Sequence, residues 1–350
     1  MALLTAAKPP SPDLSMVVGH GQQLGRLRHQ LSEAAVAHAY WISGPPQVGK
    51  TTLALALAGE LLDAVGWPGG LVAHPDLWLE DGEGTIKIDR ICDRDFHETE
   101  GPTLQHFLSL SSFAGRAKVA VIANADRMSL EASNSLLRLL EEPPSHSVIC
   151  LTTSRPDSER LPSTLRSRCQ DIRLGPVDAV LIAPWVASVT GCGSGAAELA
   201  AALCQGRPGL ARELVADPDL EERSRSAVAA LLACSGVGPG RWLDLSRELA
   251  ERGRDRNQAM FAARSWVAFL RDCCCLAAGA PELATLPLWG GAATSWATTL
   301  GLRGCLRRYD LALDVLSRLA EMATARLVLD RFLLLTFGGV APNPPAMGSE

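Results

Sequence analysis

The segment GPPQVGKT, Gly44–Thr51, matches the phosphate-binding pattern G-x-x-x-x-G-K-[ST] at every fixed position and is the strongest indication of the fold class. The apolar run YWIS (Tyr40–Ser43) before it predicts a buried strand, and TTLALALAGELL (Thr51–Leu62) after it has the apolar spacing of a helix. In such a unit, backbone N–H groups and the positive end of the helix surround a β-phosphate. Lys50 reaches the β- and γ-phosphates, and the Thr51 hydroxyl binds Mg²⁺. The sequence therefore predicts a nucleotide site formed by Gly44, Gly49, Lys50, Thr51 and Thr52.

Two further apolar runs extend this unit into a sheet. KVAVIA (Lys118–Ala123) and SVICLTT (Ser147–Thr153) read as buried strands, and LEASNSLLRLLEE (Leu130–Glu142) between them reads as an amphipathic helix. Pro143 and Pro144 end that helix. Strands that are apolar on both faces and are separated by helices indicate a parallel sheet covered on both sides, and so an α/β domain.

The composition changes after residue 175. From there to the C-terminus the sequence has Ala- and Leu-rich helical patterns, broken by Gly/Pro clusters, and no convincing strand. We expect a small helical domain followed by a larger one. The predicted segments are a leader (1–15), the α/β domain (16–175), a small helical domain (176–220), a larger helical domain (221–340) and a frayed tail (341–350).

Composition excludes several classes of protein. The chain has 350 residues, 47% apolar and 20% charged, which is typical of a globular protein with two or three domains. Neither a membrane span nor a secretory signal is expected from its apolar runs. The formal net charge of −5 disfavours a protein that binds nucleic acid mainly through its own phosphate contacts. The ten cysteines have no C-x-x-C spacing, which favours free thiols in a reducing cytoplasm over a zinc or disulfide framework.

The sequence lacks the acidic pair that nucleotide hydrolysis usually needs at the end of a neighbouring strand. KVAVIA leads into Ala123 and Asn124 at the two positions where Asp and Glu would stand. Asp126 follows shortly afterwards, and we interpret it as a helix-capping or surface carboxylate. The loop therefore predicts either nucleotide binding with feeble hydrolysis or a purely structural role.

A second candidate site is Ser167-Arg168-Cys169, within LPSTLRSRCQ. An arginine in a loop beyond a strand can act as an arginine finger on the γ-phosphate of an adjacent subunit. The alternative is a surface salt bridge from Arg168, with three candidate partners: Asp157, Glu159 and Asp171. Thr152 and Thr153 end the third predicted strand, and either could be a polar sensor of the nucleotide or a satisfied strand-end hydroxyl.

Five segments occur in an order and spacing that resemble a known family. They are VVGH (17–20), HAYWISGPPQVGKTTLA (38–54), HPD (74–76), NSLLRLLEEPP (134–144) and LPSTLRSRC (161–169). Together they resemble the AAA+ subunits of bacterial clamp loaders, and most closely those of the delta-prime type. The resemblance covers residues 16 to about 215 strongly, and the helical remainder only by size and pattern.

The resemblance implies a RecA-like AAA+ domain, a small lid domain and an all-α collar domain in a ring with gamma/tau and delta subunits. Such a ring uses ATP to load the sliding clamp onto primed DNA for DNA polymerase III, in the cytoplasm at the replisome. In that family the arginine of the Ser-Arg-Cys motif, here Arg168, is the finger offered in trans to the neighbouring ATP site. The chain would then be a subunit of a nucleotidyltransferase holoenzyme, and not itself the polymerase.

Departures from the family pattern indicate a non-motor subunit, a stator. Motor subunits carry the Asp-Glu pair, and they supply a sensor arginine where this chain has Gly209. The four-cysteine zinc module of the family is missing, since residues 55–73 contain no cysteine, and we expect no zinc. The alternatives are an autonomous AAA+ ATPase of gamma/tau motor type and a scaffold that never binds nucleotide. ATP and Mg²⁺ are expected to bind weakly, or the site is vestigial.

Overall fold

The computed structural model describes residues 13–64, 67–68, 70–93, 101–113, 117–155, 161–250, 256–284, 287–321 and 323–338. The predicted tail and most of the predicted leader lie outside these residues. Contacts divide the chain into two compact units. The first runs to Leu181 and also includes Gly206–Gly209, and the second comprises Ile182–Gln205 and the residues from Leu210 onward.

The first unit is built on a five-stranded parallel sheet with the order β2-β3-β4-β1-β5. Its strands are β1 (Ala39–Ser43), β2 (Leu77–Glu80), β3 (Lys118–Ile122), β4 (Ser147–Thr153) and β5 (Gln170–Arg173). Every residue of β1, β3 and β4 is buried, which confirms the three predicted strands and the α/β fold class. The sequence prediction missed β2 and β5 because both are four-residue edge strands with partly exposed side chains.

Helices cover both faces of this sheet. They are α1 (Gly21–Ser32), α2 (Lys50–Leu62), α3 (Leu104–Ser109), α4 (Leu130–Glu141) and α5 (Ser163–Arg166). On one face, Leu136 of α4 and Leu165 of α5 join a core with Trp41 and Ile149. On the other, α2 packs against β3 and β4. Complete burial of one leucine stabilises the fold by about 1.5–3 kcal/mol, so these packed helices contribute substantially to the stability of the sheet.

Helix α4 shows how the local sequence sets an element's bounds. The Ser129 hydroxyl caps the helix by accepting a hydrogen bond from the Ala132 backbone N–H at 3.2 Å. The helix ends at Glu141, shortly before Pro143 and Pro144, where the prediction placed its end. This position matters below, because the last residue of α4 contacts the Ser-Arg-Cys motif.

The described residues beyond the sheet are mainly helical, as predicted. Its helices are α6 (Ala179–Thr190), α7 (Ser194–Leu203), α8 (Pro208–Leu214), α9 (Leu220–Leu232), α10 (Pro239–Ala250), α11 (Arg256–Ala277), α12 (Gly290–Ala320) and α13 (Ala325–Phe337). In the second unit, α11 packs on α12, and Trp266 stacks on Phe332 of α13 with ring centroids 5.2 Å apart. The contacts give two units where the sequence predicted three domains, and the predicted lid contributes residues to both. A separate lid at 176–220 stays a prediction.

All ten cysteines lie among the described residues, and all are free thiols, five of them buried. Burial raises the pKa of both Cys150 and Cys169 to about 12, so these two thiols stay protonated at neutral pH. None of the helices in the described part of the chain has the length and hydropathy needed to span a bilayer.

Candidate nucleotide site and arginine motif

The phosphate-binding pattern forms the loop between β1 and α2, as the sequence predicts. The Gly44 backbone N–H donates to the Thr153 carbonyl oxygen at 3.2 Å, which joins the start of the loop to the end of β4. A Cβ atom at Gly44 would lie 2.3 Å from the Leu174 carbonyl oxygen, so only glycine fits there. Gly49, with φ of 106°, immediately precedes the first residue of α2. The loop therefore ends at a helix N-terminus, where an anion is stabilised.

Lys50 is turned onto its own loop. Its side-chain ammonium donates to the carbonyl oxygens of Gly44 at 2.9 Å and Pro45 at 2.6 Å, and to the Ser154 hydroxyl at 2.9 Å. The residue is only 5% exposed, and this burial lowers the pKa of Lys50 to about 8, while the charge of Asp126 acts in the opposite direction. In this arrangement the ammonium is satisfied by protein oxygens, and contact with a phosphate requires it to exchange them.

Asp126 is not the capping or surface carboxylate that the sequence suggested. Its Oδ1 accepts hydrogen bonds from the Thr153 hydroxyl at 2.9 Å and from the Ser154 backbone N–H at 3.2 Å. It thereby joins the segment after β3 to the end of β4, next to Lys50. Sequence reasoning missed both this role and Ser154, because only the sheet order brings the ends of these two strands together.

The two candidate sensor threonines are fully buried, and both hydroxyls are engaged. Thr152 Oγ1 accepts from the Asn124 backbone N–H at 2.9 Å. Thr153 Oγ1 donates to Asp126 and accepts from the Arg155 backbone N–H at 3.0 Å. These contacts are those of satisfied strand-end hydroxyls, and a sensor role for Thr152 or Thr153 stays a prediction.

The positions of the expected acidic pair carry no carboxylate. Ala123 is 3% exposed at the end of β3, and Asn124 is exposed with φ of 53°. Thr51 is half-buried and Thr52 is exposed. Among the described residues, no group of three or more His, Cys, Asp or Glu side chains could hold a metal ion. A bound Mg²⁺ would therefore depend on Thr51, nucleotide phosphates and water, with Asp126 as the nearby charge.

Gly209 lies directly against the phosphate loop. Its backbone N–H donates to the Gln47 carbonyl oxygen at 3.0 Å, and a Cβ atom at this position would come within 3.1 Å of the same oxygen. The segment predicted to replace the sensor arginine therefore does reach the loop. It reaches it with backbone atoms, because glycine brings no side chain that could contact a phosphate.

The Ser-Arg-Cys motif connects α5 to β5. Cys169 is half-buried and packs against the core, while the Ser167 hydroxyl donates to the Thr164 carbonyl oxygen at 3.0 Å. The Arg168 side chain is 35% exposed between these two anchors. Ser167 and Cys169 are thus held in place on either side of Arg168, and the guanidinium of Arg168 lies at the surface.

Arg168 forms an ion pair, although not with a partner that the sequence suggested. Its Nη2 lies 2.6 Å from Oε1 of Glu141, and its Nη1 donates to the Thr164 carbonyl oxygen at 3.0 Å. Asp171 pairs instead with Arg166 at 2.5 Å. The other two suggested partners, Asp157 and Glu159, lie outside the described residues.

Comparison with known proteins gives matches to DNA polymerase III subunits. Residues 72–178 match the family model described as DNA polymerase III, delta subunit. The chain is 32% identical over 160 residues to DNA polymerase III subunit delta' of Pseudomonas aeruginosa, covering 41% of this chain and 43% of that protein. It is 33% identical over 166 residues to subunit tau of Salmonella typhimurium, covering 46% and 25%.

The aligned part thus spans between a quarter and less than half of these relatives' length, and identity does not separate the delta' from the tau type. Among solved structures, the RuvB Holliday junction branch migration motor of Thermotoga maritima aligns over 80% of this chain and 90% of that chain, at 19% identity and a TM-score of 0.43. That likeness is too distant to support any statement about function.

Proposed function

We propose, from the match of residues 72–178 to the DNA polymerase III delta subunit family and from the similarity to subunit delta', that this chain is a delta-prime-type stator. It assembles with gamma/tau and delta subunits into a ring that uses ATP to load the sliding clamp onto primed DNA. In the ring, Arg168 completes the ATP site of the neighbouring gamma/tau subunit. The helical C-terminal part supplies the collar, and the complex acts in the cytoplasm at the replisome.

One contrast carries the stator assignment: the arginine motif is complete and at the surface, while the nucleotide site lacks its acidic pair. Arg168 is partly exposed between residues that are anchored, which suits a side chain that acts on another subunit. Ala123 and Asn124 provide no carboxylate to hold Mg²⁺ or to orient water. Phosphoryl transfer depends on positioned charges, so a site without them is a poor catalyst.

The intact phosphate loop supports weak nucleotide binding at most. Lys50 must release at least one of its three hydrogen bonds before it can donate to a phosphate, and its pKa near 8 leaves a fraction of the ammonium uncharged at mildly alkaline pH. The chain's own ATP and Mg²⁺ are therefore accessory in this proposal, and the ATP that drives loading is bound by its neighbours.

A motor role is the second candidate. The complete pattern of Gly44–Thr51 favours it, as does the identity of 33% to a tau subunit against 32% to a delta' subunit. In that case Asp126, which lies beside Lys50, would supply part of the negative charge that the missing acidic pair provides in motor subunits.

Reconstitution tests the proposed function. The chain is mixed with gamma/tau, delta and the sliding clamp of its own organism, and ATP-dependent loading onto primed DNA is measured with and without it. We expect the chain to co-elute with gamma/tau and delta, and loading to fail when it is omitted. A chain that stays monomeric in the mixture, or loading that proceeds equally well without it, contradicts the proposal.

A further inference from the structure

The ion pair between Arg168 and Glu141 joins two elements that are far apart in sequence. Glu141 is the last residue of α4, and Arg168 follows α5, which packs against α4. Their side chains meet at 2.6 Å while they are 35% and 48% exposed. The pair is therefore open to solvent and accessible to a competing anion.

The geometry of the pair uses the part of the guanidinium that recognises phosphate. Nη2 contacts the Glu141 carboxylate and Nη1 donates to the Thr164 carbonyl oxygen, so both terminal nitrogens are engaged within this chain. A guanidinium binds two phosphate oxygens through a pair of such N–H groups. Two of the five N–H groups of Arg168 are thus engaged, and a phosphate that approaches Nη1 and Nη2 competes with the Glu141 carboxylate and the Thr164 carbonyl oxygen.

The neighbouring charges show that the contact is specific to Glu141. Glu142 is the next residue and is also exposed, yet Arg168 has no ion pair with it among the described residues. Arg166 is paired with Asp171 and does not share the Glu141 carboxylate in the described structure. Glu142 is therefore a matched control for Glu141, and Arg166 is a matched control for Arg168.

We propose that Glu141 is a positioning residue, which holds Arg168 in a parked conformation on its own subunit until a neighbour's phosphate displaces the carboxylate. This inference rests on the proposed function, because it presumes that Arg168 acts in trans. The ion pair restrains Arg168 only weakly, since an exposed ion pair shifts a conformational equilibrium by only about 1.5- to fivefold. A doubly or triply charged phosphate group can overcome it.

The proposal has a kinetic signature that a merely structural role lacks. The value of kcat/KM compares the transition state, with Arg168 engaged, to the free complex, with Arg168 parked. Glu141→Gln removes the carboxylate charge from the parked state only. It should therefore raise kcat/KM for ATP in the complex by about 1.5- to fivefold, whereas structural damage would lower it.

The experiment measures DNA-stimulated ATP hydrolysis by the complex reconstituted from full-length chain, gamma/tau and delta. The variants are Glu141→Gln, the control Glu142→Gln, Arg168→Ala, and Glu141→Gln combined with Arg168→Ala. We expect Glu141→Gln to raise kcat/KM, Glu142→Gln to leave it unchanged, and the effect of Glu141→Gln to vanish in the Arg168→Ala background. Thermal unfolding of the isolated variants verifies that each one folds.

Each contrary outcome has a distinct meaning. A normal or lowered kcat/KM in Glu141→Gln, with a clear loss in Arg168→Ala, overturns the parking role and leaves the proposed function standing. An increase that persists without Arg168 shows that Glu141 acts elsewhere, and it too overturns the proposal. Wild-type kinetics in Arg168→Ala would instead remove the proposed function itself.

Discussion

The Lys50 ammonium donates a hydrogen bond to the Ser154 hydroxyl at 2.9 Å, and this contact ties the start of α2 to the end of β4. The same ammonium binds two carbonyl oxygens of the loop that precedes it. The loop of this chain is therefore closed on its own lysine. The pKa, the stability and the nucleotide chemistry of the site all depend on that arrangement.

Buried Lys50 should make stability depend on pH in a defined direction. Its folded pKa of about 8 lies below the ordinary lysine pKa of 10.5, so between these values the unfolded chain binds more protons and the free energy of unfolding rises with pH. Relative to Lys50→Met, wild type should gain about 2 kcal/mol between pH 7 and pH 9.5. Guanidinium chloride unfolding of both proteins at the two pH values measures this difference, from which contributions of other groups cancel. A constant difference would mean that Lys50 titrates normally.

The isolated chain should hydrolyse ATP no faster than its own Lys50→Ala variant. Ala123 and Asn124 leave the site without the carboxylates that hold Mg²⁺ and orient water. Steady-state phosphate release by the purified chain, with and without primed DNA, checks this. A rate typical of a motor subunit that Lys50→Ala abolishes would establish the rival motor role.

Asp126→Asn should destabilise the first unit by about 1.5–3 kcal/mol, because hydrogen bonds to a charged acceptor are lost or weakened. The carboxylate accepts from Thr153 and Ser154 and also supports the charge of Lys50. Exposed Asp81→Asn removes the same charge as a control and should change stability by less than about 0.5 kcal/mol. Equal midpoints of denaturant unfolding for the two variants would show that Asp126 is an ordinary surface carboxylate after all.

Gly209→Ala should cost about 1–3 kcal/mol of stability, because the new Cβ meets the Gln47 carbonyl oxygen at 3.1 Å in a tightly packed place. Gly195→Ala, in the first turn of α7 and with open space around it, should instead stabilise the chain by about 0.4–1 kcal/mol, because alanine has less conformational entropy to lose on folding. Thermal melts of both variants give the comparison. A Gly209→Ala protein as stable as wild type would mean that the contact with the phosphate loop is loose.

The sequence predicted the parts of the fold that depend on local pattern. The strand–loop–helix unit around Lys50 and the helix that ends at Glu141 follow from apolar spacing, glycine and proline. The sequence could not show which strand ends meet. Asp126 and Ser154 lie beside Lys50 only because β3, β4 and β1 are neighbours in the sheet.

For the same reason, the sequence could not identify the ion-pair partner of Arg168. The sequence suggested acids nearby in the chain, and the structure supplies Glu141 from another helix. Edge strand β5 was missed because its Asp171 and Arg173 are exposed, and an apolar pattern cannot find a strand with a single buried residue. Local patterns predict elements, and contacts between distant elements need the sheet order.

ATP-dependent clamp loading by the reconstituted complex that contains Arg168→Ala shows whether this chain contributes its arginine to a neighbouring subunit. Arg166→Ala is the matched control, because it removes an arginine that lies two positions before Arg168 and is paired with Asp171. We expect Arg168→Ala to assemble normally and to lower the loading rate by at least about tenfold, with Arg166→Ala close to wild type. Loading at the wild-type rate with Arg168→Ala would contradict the claim that this chain lends its arginine to a neighbour's ATP site.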